Sequence, residues 1–382
     1  MRRGRIPAWV LPPLVVTACA TDWEVTTDDA WRVLRATTGV SARQRLQVEI
    51  DVEPGEAAML LTMPLPAGRR GFVQRLRAPG GAVVLQAEDW WESGTNLTNA
   101  VFSSDVVSLN WPISPAQDAL EPGRWRLDLR VDEPGLDVDV SVSLKGGAAL
   151  EGGVLGVDVV LAAAVAEDPD LLPGVEAALE RWAEELYPGF GVQVDLHVRQ
   201  ATLPSVLAAP GFGAERTWQA LADGVPFGRV LVVIGEEVEG GSDILGIAGG
   251  IPGPLVATRR SGVLAAALSA SFVAGADGVM DQVESRLFSE TLGHEVGHYL
   301  GLFHPFELPR GGGDVNTWDA LESTATCNRM DDCVRVLGGN MMFPTPVCSR
   351  RGALRGDCEA FLAQDRLTDE QAGVLHRYVG VR

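Results

Sequence analysis

Residues 294–304 read His294-Glu295-Val296-Gly297-His298-Tyr299-Leu300-Gly301-Leu302-Phe303-His304, that is, H-E-x-x-H-x-x-G-x-x-H. The chain has 5 histidines, and three of them lie in this run. Positions i and i+4 share one face of a helix, so His294 and His298 can hold a single ion together. Glu295 projects beside them and is placed to act on a metal-activated water as a general base. Gly301 can take backbone angles closed to other residues, so the helix can stop there and the chain turn back. The turn brings His304 round as a third nitrogen ligand. Three protein ligands leave the fourth position open, which is the plan of a catalytic Zn2+ site rather than a structural one. This run therefore demands a helix, a sharp stop and a returning loop.

The N-terminal end points to export. Met1-Arg2-Arg3-Gly4-Arg5 is basic, Ile6 to Val16 is apolar, and Thr17-Ala18-Cys19-Ala20 is small. Together these read as a bacterial signal peptide over residues 1–18, too short in its apolar part to span a bilayer. Val16-Thr17-Ala18-Cys19 resembles a lipobox, in which Cys19 is lipidated and anchors the chain to a membrane. The expected location is the cell envelope, the outer membrane in a diderm host. An ordinary secretory cut near Ala18 or Ala20 is the alternative, and the protein is then secreted. The net charge is -20 with 51 acidic against 31 basic residues. Loss of Arg2, Arg3 and Arg5 with the signal makes the chain more acidic still. Such a surface excludes nucleic acid as a partner. Lys145 is the sole lysine and reads as coding bias. Four further cysteines, Cys327, Cys333, Cys348 and Cys358, follow the histidine run. In an exported protein an even set implies two disulfides, with three pairings open. A second, structural zinc is the alternative, but no histidine lies among them.

The chain changes rhythm near residue 150. Residues 22–148 hold period-two runs such as Leu46–Val52, Ala82–Leu85, Trp125–Val131 and Val138–Leu144, separated by Pro-Gly turns. This pattern predicts an all-β antiparallel sandwich. Gly146-Gly147 and Gly152-Gly153 bracket a linker. Residues 150–382 predict an α/β domain. Val154–Ala164 is an apolar strand, and Leu171–Tyr187 has helical spacing with Val175, Leu179, Trp182 and Leu186 on one face. Phe190–Val198 and Arg229–Ile234 are strands. Gln282–Leu300 is a long helix carrying the first two histidines. Ile244–Ile251 is the candidate exposed edge along which an extended peptide would lie.

With these residues in hand, the chain resembles the metzincins, the zinc peptidases defined by the extended histidine motif and a later methionine turn. Asn340-Met341-Met342-Phe343-Pro344 sits where that turn is expected, with Met342 as its methionine; core packing by Met341 or Met342 is the plain alternative. Within the clan the pappalysin family is most similar. The histidine run is followed by Pro305-Phe306, as in that family, and Asp319–Cys327 and Leu367–Gln371 resemble two of its later segments. Thr368 and Gln371 also make a capping box. Ser323, Ala325 and Pro344 depart from the family pattern, so neither calcium sites nor an assisting tyrosine are carried over. The resemblance implies a zinc-dependent endopeptidase acting on a peptide or protein substrate, with His294, His298 and His304 as ligands and Glu295 as general base. Two rival readings are a catalytically vestigial surface lipoprotein that acts as a binding module, and a zinc amidase acting on cell-wall peptides. A chain beginning near residue 150 is expected to be active if it folds.

Overall fold

The computed structural model describes residues 21–28, 30–147, 150–241, 244–274, 277–307, 314–348 and 361–382. Cys19 and Cys358 lie outside the described residues. The fold is mixed, with several β-sheets and a smaller set of helices.

The N-terminal part is built from two antiparallel sheets. One has the spatial order Glu24–Thr27, Trp31–Gly39, Asp137–Gly146, Glu56–Pro64, Val106–Trp111. The other runs Arg45–Val52, Gly123–Val131, Gly71–Arg77, Val83–Gln86. Alternation explains the second sheet: Leu46, Val48, Ile50 and Val52 point inward while their neighbours meet water or the sheet surface. The first sheet behaves differently. Glu56–Pro64 and Val106–Trp111 are buried almost throughout, because their second face is covered by the C-terminal end of the chain. Asn110 donates to Arg377 O (2.8 Å) and accepts from Val379 N (3.0 Å). Such doubly covered strands lose the alternation that marks half-exposed ones, and their runs of Ala, Met and Leu were not legible as strands.

From residue 150 the chain forms a second five-stranded sheet. Its order is Val192–Ala201, Gly153–Ala162, Val230–Gly235, Val263–Ala266, Gly246–Ala248. The first four strands are parallel, and Gly246–Ala248 is an antiparallel edge strand. Helix Leu172–Arg181 continues into a π-helical turn, Trp182–Leu186. It packs on the long helix Gln282–Tyr299. Ser285 Oγ donates to Gly174 O (2.8 Å) and the buried Tyr187 hydroxyl to Gly293 O (2.9 Å).

The two parts share one apolar core that includes Trp31, Met59 and Val142 with Phe288, Leu375 and Val379. Trp31 Nε1 donates to Val379 O at 2.9 Å. Asp105 of the sandwich receives both Arg259 and Arg260. Burial pushes its carboxyl up, but the two guanidinium groups outweigh that and hold it below its usual range. A small sheet also crosses the seam. Thr95–Asn96 pairs in parallel with Thr317–Asp319, which pairs antiparallel with Phe306–Glu307. Among the cysteines, Cys327 is bonded to Cys333, and Cys348 is disulfide-bonded as well. The described residues include no helix long and apolar enough to cross a membrane.

Candidate metal centre

The long helix starts at Asp281, whose carboxylate caps Val283 N and Glu284 N. It ends at Tyr299, and Gly301 then takes φ 117°. There Gly301 N donates to His298 O and Leu302 N to Gly297 O, both at 2.9 Å. This satisfies carbonyls left open at a helix end and reverses the chain. His304 returns to the helix as a result. Its Nε2 lies 3.2 Å from His294 Nε2 and 3.1 Å from His298 Nε2.

The protons decide what this cluster is. His294 Nδ1 donates to Met341 O (2.7 Å) and His298 Nδ1 to Leu302 O (2.7 Å). A carbonyl can only accept, so each ring carries its hydrogen on Nδ1 and turns a bare lone pair inward from Nε2. His304 Nδ1 lies 3.0 Å from the Glu307 carboxylate, which sets the same tautomer. Burial and the neighbouring His304 push His294 down to about 3, and burial likewise holds His298 well below the usual imidazole range. Lone pairs that converge from three rings cannot satisfy one another, and a cation among them can be held by all three. The set fits a metal ion.

Glu295 is 8% exposed and leans on the edge strand. Burial pushes its carboxyl up to about 8, against the opposing effect of the Ala248 N–H that it accepts. The approach requires Gly246. A Cβ there would lie 2.6 Å from Glu295 Cγ. The expected edge is therefore present at Gly246–Ala248, beside the three histidines and the candidate base.

Met341 and Met342 run beneath the helix, both essentially inaccessible. Met342, the expected turn methionine, puts its Sδ 2.8 Å from where a Cβ on Gly297 would stand, and Met341 Sδ does the same at Gly293. The two glycines, one helical turn apart, give the loop room to approach. The turn reaches the metal centre through backbone as well, since Met341 O is the atom that orients His294. Asn340 shapes the turn: its Oδ1 accepts from Met342 N (2.9 Å) and its Nδ2 donates to Gln371 Oε1 (2.7 Å). Sequence reasoning placed Asn340 in the turn and Gly246 and Ala248 in the candidate edge without giving them these roles, and it missed Glu307. Only Glu307, three residues past His304, carries a readable sign.

A cavity of about 210 Å³ opens beside His294 and Glu295, lined by Leu245, Leu287, Thr291, Met341, Phe343 and Pro344. Glu290 also lines it; burial pushes its carboxyl up, and its Oε1 has no hydrogen-bond partner. A larger cavity of about 670 Å³, lined by Trp23, Arg35, Asp139 and Val256 among others, includes none of these residues.

No family model matches the chain, and no curated protein matches it. Among solved structures, the chain has some likeness to metalloproteinase-II from Bacteroides fragilis. The identity is 10% over 43% of this chain and 52% of that one, with a TM-score of 0.28. This chain therefore spans about half the length of that protein. Two family two carbohydrate esterases show weaker likeness. The Clostridium thermocellum enzyme in complex with cellohexaose aligns at 9% identity over 91% of this chain and 92% of that one, TM-score 0.15. The Cellvibrio japonicus enzyme aligns at 11% over 55% and 81%, TM-score 0.13. Likeness this low carries no argument about either fold or chemistry.

Proposed function

We propose that the protein is an exported zinc metalloendopeptidase of metzincin type, similar to the pappalysins, that hydrolyses peptide bonds in a peptide or protein substrate. The observation that carries this reading is the convergence of three Nε2 lone pairs, each ring fixed from behind by an acceptor, next to the buried Glu295 carboxyl that packs against the edge strand Gly246–Ala248. Three imidazoles with an open fourth position suit Zn2+. The ion, once bound by His294, His298 and His304, supplies the Lewis acidity that polarises the scissile carbonyl and acidifies water. Glu295 accepts the proton of the attacking water and delivers it to the leaving amine nitrogen. The strand Gly246–Ala248 offers backbone groups to an extended substrate, and the cavity beside His294 receives one of its side chains. Attachment to the envelope through a lipid on Cys19 completes the proposal, on the strength of Val16-Thr17-Ala18-Cys19. In that case the native N-terminus carries acyl chains by mass spectrometry, whereas an unmodified Ala20 at the first position means a freely secreted enzyme.

The test is metal analysis joined to turnover. The purified protein should hold one zinc per chain and digest casein. Glu295→Gln should keep the zinc and lose at least about a thousandfold in kcat, since it removes the base and no ligand. A zinc-free protein, or a Glu295→Gln variant of near-normal activity, overturns the reading.

A further inference from the structure

The three histidines are not held alike. His294 Nδ1 donates to Met341 O and His298 Nδ1 to Leu302 O. Both acceptors are backbone atoms of residues that are pinned in turn. Met341 N donates to Arg366 O (2.8 Å) and Leu302 N to Gly297 O (2.9 Å). His304 stands beyond the end of the helix at Tyr299. Among the described residues, what holds its Nδ1 is a side chain, the Glu307 carboxylate at 3.0 Å. The strand Phe306–Glu307 aims that carboxylate. Phe306 is fully buried and meets Phe343 edge-on (ring centroids 5.2 Å), in a small core closed by the Cys327–Cys333 disulfide. Successive residues of a strand face opposite ways, so Glu307 turns from that core toward His304. Pro305 favours an extended backbone at His304. Its carbonyl accepts from Asp319 N (3.3 Å), and pairing of Phe306 with Trp318 and of Glu307 with Thr317 fixes the register.

A carboxylate behind an imidazole differs from a carbonyl in its charge. A hydrogen bond to an ionised acceptor is roughly twice as strong as one between neutral groups. That charge favours the ring most when the ring holds a cation, so it raises the basicity of Nε2 and stabilises the metal-bound state over the free one. His294 and His298 share one helix and are oriented by backbone. His304 is the ligand that rotation of one half-exposed side chain can loosen. We propose that zinc enters and leaves this centre through His304, and that Glu307 is the positioning residue that sets the rate of release. The inference rests on the zinc part of the metallopeptidase reading and not on peptide cleavage. It adds to the histidine motif a residue outside it, and it ranks the three ligands by how firmly each is held.

Transfer of zinc from the loaded full chain to an excess of a chromogenic chelator tests this without any substrate. Glu307→Ala should release zinc about 10–100-fold faster than the native protein, the range over which hydrogen-bond partners of metal-binding histidines act. Glu307→Gln keeps an acceptor for the ring N–H and loses the charge. Its rate should lie between the two, at least about threefold above native. The Glu307 side chain is 42% exposed, so the metal-free native and variant proteins should melt at the same temperature. Should Glu307→Ala destabilise the metal-free fold, the Gln variant decides alone. His304→Ala supplies the control for position. With the ring gone, adding Glu307→Ala should change release by less than about twofold. A native release rate in Glu307→Gln and Glu307→Ala, or an undiminished acceleration in the His304→Ala background, overturns the inference. A protein that shows the expected rates and cleaves no peptide keeps it and retires the peptidase reading.

Discussion

Gly246 is where one side chain's absence matters most. The edge strand passes directly against Glu295, and a Cβ on Gly246 would meet Glu295 Cγ at 2.6 Å and Leu264 O at 3.0 Å. The carbonyl belongs to the adjacent strand and is held by the sheet, so the glutamate is the part that yields. Gly246→Ala should therefore keep the zinc and cost only about 1 kcal/mol of stability. It should lower kcat at least tenfold, because misplacement of a general base acts on the proton transfer. Metal analysis beside steady-state kinetics checks this. A variant with native kcat would mean that Glu295 tolerates displacement.

Between elements, the C-terminal helix Asp369–Arg377 is tied to the methionine turn by a short polar chain. Thr368 caps Gln371 N at 3.2 Å, and Gln371 Oε1 accepts both Thr368 N (3.0 Å) and Asn340 Nδ2 (2.7 Å). Asn340 in turn fixes Met342 N, one residue from the carbonyl that orients His294. Gln371 is fully buried and Asn340 is 7% exposed. Asn340→Ala strands Met342 N–H and the Gln371 amide, which should cost about 2–4 kcal/mol in urea unfolding. With Met341 O freed, zinc affinity measured by chelator competition should fall at least tenfold. The capping box is legible as Thr368 and Gln371 three positions apart in the motif. Its connection to a turn about thirty residues upstream is not, because hydrogen bonds between distant loops leave no period in a sequence.

Across the whole molecule, the seam between the sandwich and the α/β part governs stability. Lys145, read from the sequence as coding bias, is 3% exposed and lies against the C-terminal helix with Nζ 3.4 Å from His376 O. Burial, with the nearby charge of Arg377, pushes its amine down from 10.5 to about 8. The folded value lies below the unfolded one, so this group's contribution to stability is present above pH 10.5 and is lost as pH falls through 8. Lys145→Met should thus stabilise the protein at pH 6.5 by on the order of 3 kcal/mol. The gap between variant and native urea midpoints should narrow at pH 10. The seam also replaces the expectation that a chain beginning near residue 150 is an active unit. Such a chain would bare the core face opposite Trp31 and Met59, and it would lose the strand Thr95–Asn96 that braces the segment after His304. It should expose apolar surface to a dye such as ANS and bind zinc more weakly than the full chain does.

The local chemistry of the centre was determined by the sequence alone. Helical spacing puts His294 and His298 on one face, Gly301 permits the reversal, and His304 follows three residues later and returns to them; each is a matter of backbone geometry within eleven residues. The half-exposed strands of the sandwich were legible for the same reason, since alternation is local. Tertiary structure decided what lies around the centre. Gly246 is spaced from Glu295 by nearly fifty residues, Asn340 from His294 by a similar distance, and Thr95–Asn96 from Phe306–Glu307 by about two hundred. The central strands of the first sheet lost their alternation only because the C-terminal end of the chain covers their second face. Contacts of this kind come from the packing of whole elements, and packing is non-directional and shared among many apolar residues, so no short stretch of sequence encodes it.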